Sequence, residues 1–494
     1  MGWRVYSTAV IRILIPVFLV CLSANSADWY VSPGASGSGT LVNPGNLTNA
    51  FSGFGWASII APGDTIWMRG GTYSGNYSCD LSGASNAPII IRNYQGERAV
   101  IDGGETFNTQ PTILYIKGSF VWVWGIEVMS SSTDRVATVS GSGPSGAQIP
   151  YGDGVEVYAG GGPISGVKFI NMIVHDTRLG FSSWSNSWDI EFHGNLSYYN
   201  GWWSTVDNAH GHGFYGQNLQ IGRKTVSKNF FFDNFDNGSQ SYGSEIAPIS
   251  WFTFDRNAYF RNGSIGGGSS SGCWIGGGQA STNSYLFTNY FWSVDSGAIN
   301  VQGNYSNRII GNYLAGRYSG NGADIYLGGN TGLEMTNNVF IYDFLSGVTT
   351  GSFPNNTWMT TNPSTTVSFV DVNDYETNRA NVVIYNWSLS NNVQVAAGSI
   401  LSSGQQYRIR CAHNYWNDVA TNTAGTGGVI TIPMTNRTVV QPSGWTNSLL
   451  ANTYYPNFGL FVVEALGGGG GGGGFATNST GSATTSNVGT INKI

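Results

Sequence analysis

Seven short segments, opened by Gly154, Gly180, Gly213, Gly238, Gly272, Gly297 and Gly322, carry the clearest alternation in the chain. One and three residues after the glycine stand small or apolar side chains: Val155 and Val157, Phe181 and Ser183, Cys273 and Ile275, Ala323 and Ile325. Two and four residues after it stand aromatic and polar ones: Glu156 and Tyr158, Ser182 and Trp184, Tyr215 and Gln217, Gln240 and Tyr242, then Trp274, Asp324 and Tyr326. Successive side chains of a strand point to opposite faces, so the first set predicts an inward face and the second a solvent-facing strip.

A second pattern runs between these strands. Asn171, Asn195, Asn229, Asn257, Asn289, Asn312 and Asn338 recur at intervals of 24, 34, 28, 32, 23 and 26 residues. A period of this length implies stacked units that bury a continuous core only against their neighbours. Asparagine tolerates the left-handed backbone region, and its amide bonds to nearby backbone. Piled coil on coil, such amides can hydrogen-bond as a ladder. The prediction is an all-β solenoid with asparagines at its turn. Asp176 stands five residues after Asn171, where Asn200, Asn234 and Asn262 stand in other coils, which makes it a turn residue.

Residues 27–150 hold runs such as APIIIRN and SFVWVWGIEVM between glycine turns and read as the N-terminal cap and first coils. Residues 151–350 are the regular array. Residues 351–466 lose the period, but VSFVDV, ANVVIYNW, QYRIRCA and VVQPSGW alternate like antiparallel strands of a small C-terminal β-domain. An octaglycine opens residues 467–494, a linker and tail with no apolar pattern. At the other end, residues 1–26 read as a signal peptide: Arg4 and Arg12, an apolar run from Ile13 to Leu22, then Ala24-Asn25-Ser26. No segment reads as a transmembrane span, so the expected location is secreted, extracellular or periplasmic. Cys79, Cys273 and Cys411 are too few and too dispersed for a disulfide framework and predict isolated thiols.

Composition narrows the partners. Aromatics make up 14% and charged residues 10% of 494 residues, and the formal charge of −6 is spread without runs. That argues against a disordered chain and against nucleic acid as a partner. Coils rising by roughly 4.8 Å lay the outward residues along about 30 Å. Glu156, Tyr158, Trp184, Gln217, Gln240, Tyr242 and Trp274 would then bind an extended extracellular polysaccharide by ring stacking and amide hydrogen bonds.

The coil from Asn195 to Asn229 is the longest, and its surplus, GWWSTVDNAHGH, carries Asp207, His210 and His212. A second insertion, SIGGGSSSG, precedes Trp274. Insertions in repeat proteins gather on one face, often the binding face. A histidine near neutrality can accept a proton and a tyrosine return one. Cleaving a uronate-containing polysaccharide by β-elimination needs a base, a neutraliser for the carboxylate and an acid for the leaving oxygen. His212 or Tyr215, Arg178 or Gln217, and Tyr215 fit those roles, with His210 and Asp207 beside them and His175, Asp176 and Glu245 on nearby coils. Two histidines and one carboxylate in a glycine-rich loop are a weak metal signal, and no metal site is assigned.

The opening DWYVSPGASGSGT and PGDTIWMRGGTY, the Asn/Gly rhythm and GHGFYGQN with GSQSYGSE resemble bacterial secreted right-handed parallel β-helix proteins of the pectate-lyase-like superfamily. The resemblance covers roughly residues 28–345. It implies that fold and a range of activities: lyase, hydrolase, epimerase, or non-catalytic glycan-binding and surface-structural roles. Polygalacturonase-type hydrolases are similar at Tyr151-Gly152-Asp153-Gly154 and Gly211-His212-Gly213, but their paired aspartates meet Arg178-Leu179-Gly180-Phe181. The cofactor stays unknown. A divalent cation such as calcium would need an acidic cluster on the outward strip, and Glu156 alone does not make one. β-Elimination leads, with the hydrolase and the non-catalytic binder as alternatives.

Overall fold

The computed structural model describes residues 26–467 except 106–110, 141–147, 158–161, 219–221, 244–248, 268–269, 279, 293–296, 304, 317–324, 330, 343–344, 347–348 and 447–453. The signal-peptide and tail expectations therefore fall outside the described residues, as do Tyr158, Glu245, Ala323 and Asp324. The fold is all-β: a right-handed parallel β-helix followed by a small antiparallel β-domain.

Each coil visits three parallel sheets in turn. Among the described residues, sheet I has 11 strands, from Asp28–Val31 to Glu334–Thr336; sheet II has 11, from Gly71–Ser74 to Thr357–Met359; sheet III has 10, from Tyr77–Cys79 to Leu345–Ser346. Lys168–Ile170, Ile173–His175 and Phe181–Ser183 make up one such coil. The inward set is buried as predicted: Val155, Val157, Phe181, Cys273, Ile275 and Ile325 join one core with Phe169, Phe192, Phe214 and Phe254. At the N-terminal end a short helix, Leu47–Ser52, buries Leu47, Ala50 and Phe51 against that core. Its first turn is held by the Asn46 side chain, which accepts from the Asn49 amide.

The corner between sheets I and II turns on one left-handed residue per coil, with φ of 52° at Asn171, 68° at Gly194, 53° at Lys228 and 52° at Arg256. The ladder asparagine comes next. Asn257 shows the full pattern: its Oδ1 accepts from the Asn229 amide (3.0 Å) and side chain (2.9 Å), and its Nδ2 donates to Val226 O (2.8 Å) and Asn289 Oδ1 (3.0 Å). The same bonds link Asn195 through Asn338 and continue to Asn356, one coil beyond the sequence pattern. Asn171 is not a rung. It occupies the left-handed position one residue earlier, level with Gly194, while the Met172 amide donates to Asn195 Oδ1. Asparagine serves either position, so the letter alone did not separate them. At the next corner Thr177, Asn200, Asn234 and Asn262 form a second column. Asp176 is a turn residue, at φ 55°, one position before that column.

The C-terminal domain holds a five-stranded antiparallel sheet ordered Val367–Val372, Arg379–Tyr385, Phe458–Ala465, Gln406–Cys411 and Val419–Thr423, and a two-stranded one of Asn392–Ala396 and Val429–Pro433. Three of the four expected runs are strands. VVQPSGW is not; it lies across the solenoid, with Val440 O accepting from the Tyr199 hydroxyl (2.6 Å) and Trp445 against Phe235. The middle strand, Phe458–Ala465, was not foreseen: it is buried on both faces and so lacks alternation. The domain covers the outer face of sheet II, where Tyr198, Phe232, Phe260 and Tyr290 pack with Tyr385, Phe458 and Leu460.

That docking encloses His175 and Asp176, which therefore take no part in the outward strip. His175 Nδ1 meets Asp176 at 2.7 Å and Nε2 meets Glu127 at 2.9 Å; Glu127 also accepts from Arg98 and from Trp416 of the C-terminal domain. Burial pulls the His175 pKa down, but the bonds to Asp176 and Glu127 outweigh it and hold it at about 9.

Two expectations follow from these contacts. Asn257→Ala leaves the Asn229 amide and Val226 carbonyl unpaired in the core, so chemical denaturation should show a loss of about 2–3 kcal/mol; a loss below about 0.5 kcal/mol would show that the ladder contributes little. The folded pKa of His175 lies above its unfolded value of about 6.5. Its contribution is therefore complete below pH 6.5 and is lost as pH rises through about 9. Stability measured from pH 6 to 10 should fall by on the order of 3 kcal/mol, and His175→Gln should flatten that slope; parallel curves for both proteins would refute it.

Candidate active site on the outer strip of sheet III

The strand register of sheet III sets one outward column. Tyr115, Glu156, Ser182, Tyr215, Gln240, Trp274, Asn300 and Tyr326 stand directly above one another. Eight rungs span roughly 34 Å. The glycines that open the strands are required by the stacking: a Cβ on Gly154, Gly180, Gly213 or Gly238 would come within 2.4–2.7 Å of the carbonyl oxygen of the next coil. The later glycines slip from this column, because Ala298 rather than Gly297 lies level with Gly272. Tyr326 accordingly belongs to the Glu156–Trp274 column, two positions from where glycine counting put it.

The strip faces outward but is only partly open. Glu156, Ser182, Gln217 and Gln240 are buried rather than solvent-facing, because larger neighbours fold over them. Trp184 is the main cover. Its Nε1 donates to Glu156 Oε1 (2.5 Å), and its ring lies 5.4 Å from that of Tyr215. Thr112 donates to the other Glu156 oxygen at 2.6 Å. Burial, followed by the charge of Asp153, pushes the Glu156 carboxyl up to about 7. Tyr115, beside it, is pushed to about 12, chiefly by burial.

Arg178 is buried and clasps Asp153 through Nε (2.8 Å) and Nη2 (3.2 Å). Its charge is thus balanced within the wall, which removes it as the neutraliser of a substrate carboxylate. Asp207 and His210 sit on a hairpin, Trp202–Ser204 and Asn208–His210, that rises between sheets II and III and pairs with Val136–Ala137. His210 Nε2 meets Asp207 Oδ1 at 2.9 Å and its ring stacks on Trp202. The second insertion packs beneath that hairpin, with Gly266 against Ala209 and Gly267 against Trp203. The two insertions thus meet at the corner between sheets II and III.

His212 lies near Tyr215 and Asp236. Its ring lies 6.0 Å from the Tyr215 ring at 18°, and its Nδ1 is 3.4 Å from Asp236 Oδ2. Gln217 Nε2 donates to the Tyr215 hydroxyl at 3.2 Å. Burial lowers the His212 pKa, against the opposing charge of Asp236, and raises that of Tyr215. A neutral imidazole therefore stands beside a protonated phenol at neutral pH, the division of labour a base and an acid need. Farther along, Asn237 donates to Gln240 (3.0 Å), and Tyr242 meets Trp274 edge-on at 5.7 Å. Among the described residues, Ser182 Oγ, Trp274 Nε1 and Asn300 Oδ1 find no hydrogen-bond partner.

The structure thus brings His212, Tyr215 and Gln217 together and leaves Arg178 one coil away. Asp236, whose carboxylate lies near His212 Nδ1, and Tyr115, which extends the column, were not foreseen. Asp236 lies 24 residues from His212 and meets it only through stacking. Tyr115 sits in TILYI, which alternates correctly but lacks an opening glycine. Among the described residues, no group of three or more His, Cys, Asp or Glu side chains could hold a metal ion. Cys79, Cys273 and Cys411 are buried free thiols, and no described helix is long and apolar enough to cross a membrane.

No family model matches the chain. Over 84 residues it is 39% identical to pectate lyase PEL9 of Emericella nidulans, an alignment covering 16% of this chain and 19% of that relative. The chain thus spans about a fifth of the curated relative it matches. Among solved structures it is similar to pectate lyase Pel9A, with 18% identity and a TM-score of 0.47 over 69% of this chain and 80% of that one. It is similar also to an alginate lyase from Paenibacillus sp. (14%, 0.40, covering 67% and 98%) and to a rhamnogalacturonan lyase (15%, 0.39, covering 65% and 75%). The likeness is one of fold. The chain is a parallel β-helix protein in architecture.

Proposed function

We propose that this chain is secreted and cleaves an extracellular, uronate-containing polysaccharide by β-elimination, with the sugar chain lying along the strip of sheet III. The observation that carries the reading is the approach of the His212 ring to Tyr215, a member of the outward column whose hydroxyl accepts from the Gln217 amide. A proton on Nδ1, 3.4 Å from the Asp236 carboxylate, would leave Nε2 of His212 to accept one. In the reaction, His212 takes the proton from C5, the electron pair forms the C4–C5 double bond, and the C4–O bond breaks. Tyr215 gives its hydroxyl proton to the departing oxygen. Gln217 and Gln240 supply amides for the uronate carboxylate, and Trp184 and Trp274 supply stacking surfaces. The similarity to pectate, alginate and rhamnogalacturonan lyases is consistent with this chemistry.

Glu156 and Asp153 would be the carboxylates of a hydrolase. Glu156, however, is bonded to Thr112 and Trp184, and Asp153 to Arg178, inside the wall.

A panel of acidic and neutral polysaccharides, assayed for unsaturated-uronate absorbance and new reducing ends, tests the reading. Wild-type protein should give both from an acidic polymer. His212→Ala and Tyr215→Phe should each lower the rate by roughly 10²–10⁴-fold, with unchanged thermal unfolding. Because the His212 pKa is depressed, the acid limb of the pH–rate profile should lie below the usual histidine value of about 6.5. Reducing ends without absorbance would mean hydrolysis, and binding without either product would mean a non-catalytic glycan-binding protein.

A further inference from the structure

A cavity of about 190 Å³ lies on the far side of the molecule from the strip, where the C-terminal domain meets the corner between sheets I and II. Arg92 comes from the solenoid; Arg379, Arg408 and Arg410 come from the C-terminal sheet. Among the described residues, two carboxylates, Glu376 and Glu464, line it with them. Four guanidiniums against two carboxylates leave an excess of positive charge.

Neither carboxylate is free to balance more. Glu464 is shared by Arg408 and Arg410 at 3.3 Å each and by Arg379 at 3.8 Å. Glu376 Oε1 accepts from Trp124 Nε1 at 2.7 Å and lies 3.9 Å from Arg379 through its other oxygen. Among the described residues, Arg379 is 6% exposed and its Nε finds no hydrogen-bond partner. Arg92 is likewise unpartnered at Nε, its guanidinium lying 4.3 Å from the Trp124 ring centroid. Buried guanidinium donors without acceptors are costly unless a ligand satisfies them. Trp416 and Tyr415 add flat surface to the same cavity. Its volume equals about six waters at roughly 30 Å³ each, the scale of one sugar ring.

We propose that this junction cavity binds the carboxylate of a single uronate unit, with guanidiniums from the two parts of the chain gripping it and Trp416 or Tyr415 flanking the ring. Guanidinium matches carboxylate through paired donors, and aromatic faces accept sugar rings. Occupancy would tie the solenoid to the C-terminal domain, so a bound uronate would raise the stability of both. The site does not depend on His212 or on the strip being catalytic.

Calorimetric titration of the full chain with galacturonic acid, its methyl ester and inorganic phosphate tests this. Galacturonic acid should bind and raise the melting temperature, and the ester should bind at least tenfold more weakly. The partly exposed pair Arg408→Gln and Arg410→Gln should lower galacturonic acid affinity at least tenfold without preventing folding. Binding should persist in His212→Ala, separating this site from the strip. Equal binding of phosphate would overturn the uronate assignment in favour of a general anion site. No binding by the wild type, or equal binding of acid and ester, would overturn the proposal outright.

Discussion

Everything in this molecule follows from the spacing between coils. Parallel strands stack roughly 4.8 Å apart, and every buried polar group in the corner must find its partner in the coil above or below. The asparagine ladder meets that requirement, since each interior amide accepts two bonds from one neighbour and donates to the other coil and to backbone. At the opposite corner the same closeness excludes even a β-carbon, which is why glycine opens the strands of sheet III. One spacing thus fixes two residue types at two corners, for opposite reasons: one position must be polar and the other must be empty.

The spacing also arranges the surface. Residues on one face of successive strands become neighbours, so Trp184 folds across Glu156 and approaches Tyr215, and His212 lies beside Tyr215 with Asp236 from the next coil behind it. Crowding of this kind desolvates the strip, and desolvation is what drives His212 and Tyr215 apart in pKa. The chemistry available to the site is therefore a consequence of packing more than of any motif.

Sheet II shows the alternative fate of an outward face. Its rings are covered by the C-terminal domain, and the polar residues at its edge become an internal network around His175. The same docking gathers three arginines from one sheet against a fourth from the solenoid. Among the described residues, the strip of sheet III takes no part in that docking cluster.

The repeat period, the inward and outward alternation of sheet III and the position of the long insertion were legible from the chain, because each is a local pattern that recurs. Asn171 and Asp176 were each displaced by one residue, since asparagine and aspartate suit both the left-handed position and the rung beside it. Asp236 as partner of His212, Asp153 as partner of Arg178 and Tyr115 at the end of the column join residues 24, 25 and more apart in sequence. The sequence by itself determined that the chain would stack and which letters would hold the stack. Only the tertiary structure decided which outward faces remain open and which charges are already spent on one another, because those depend on what lies one coil, or one domain, away.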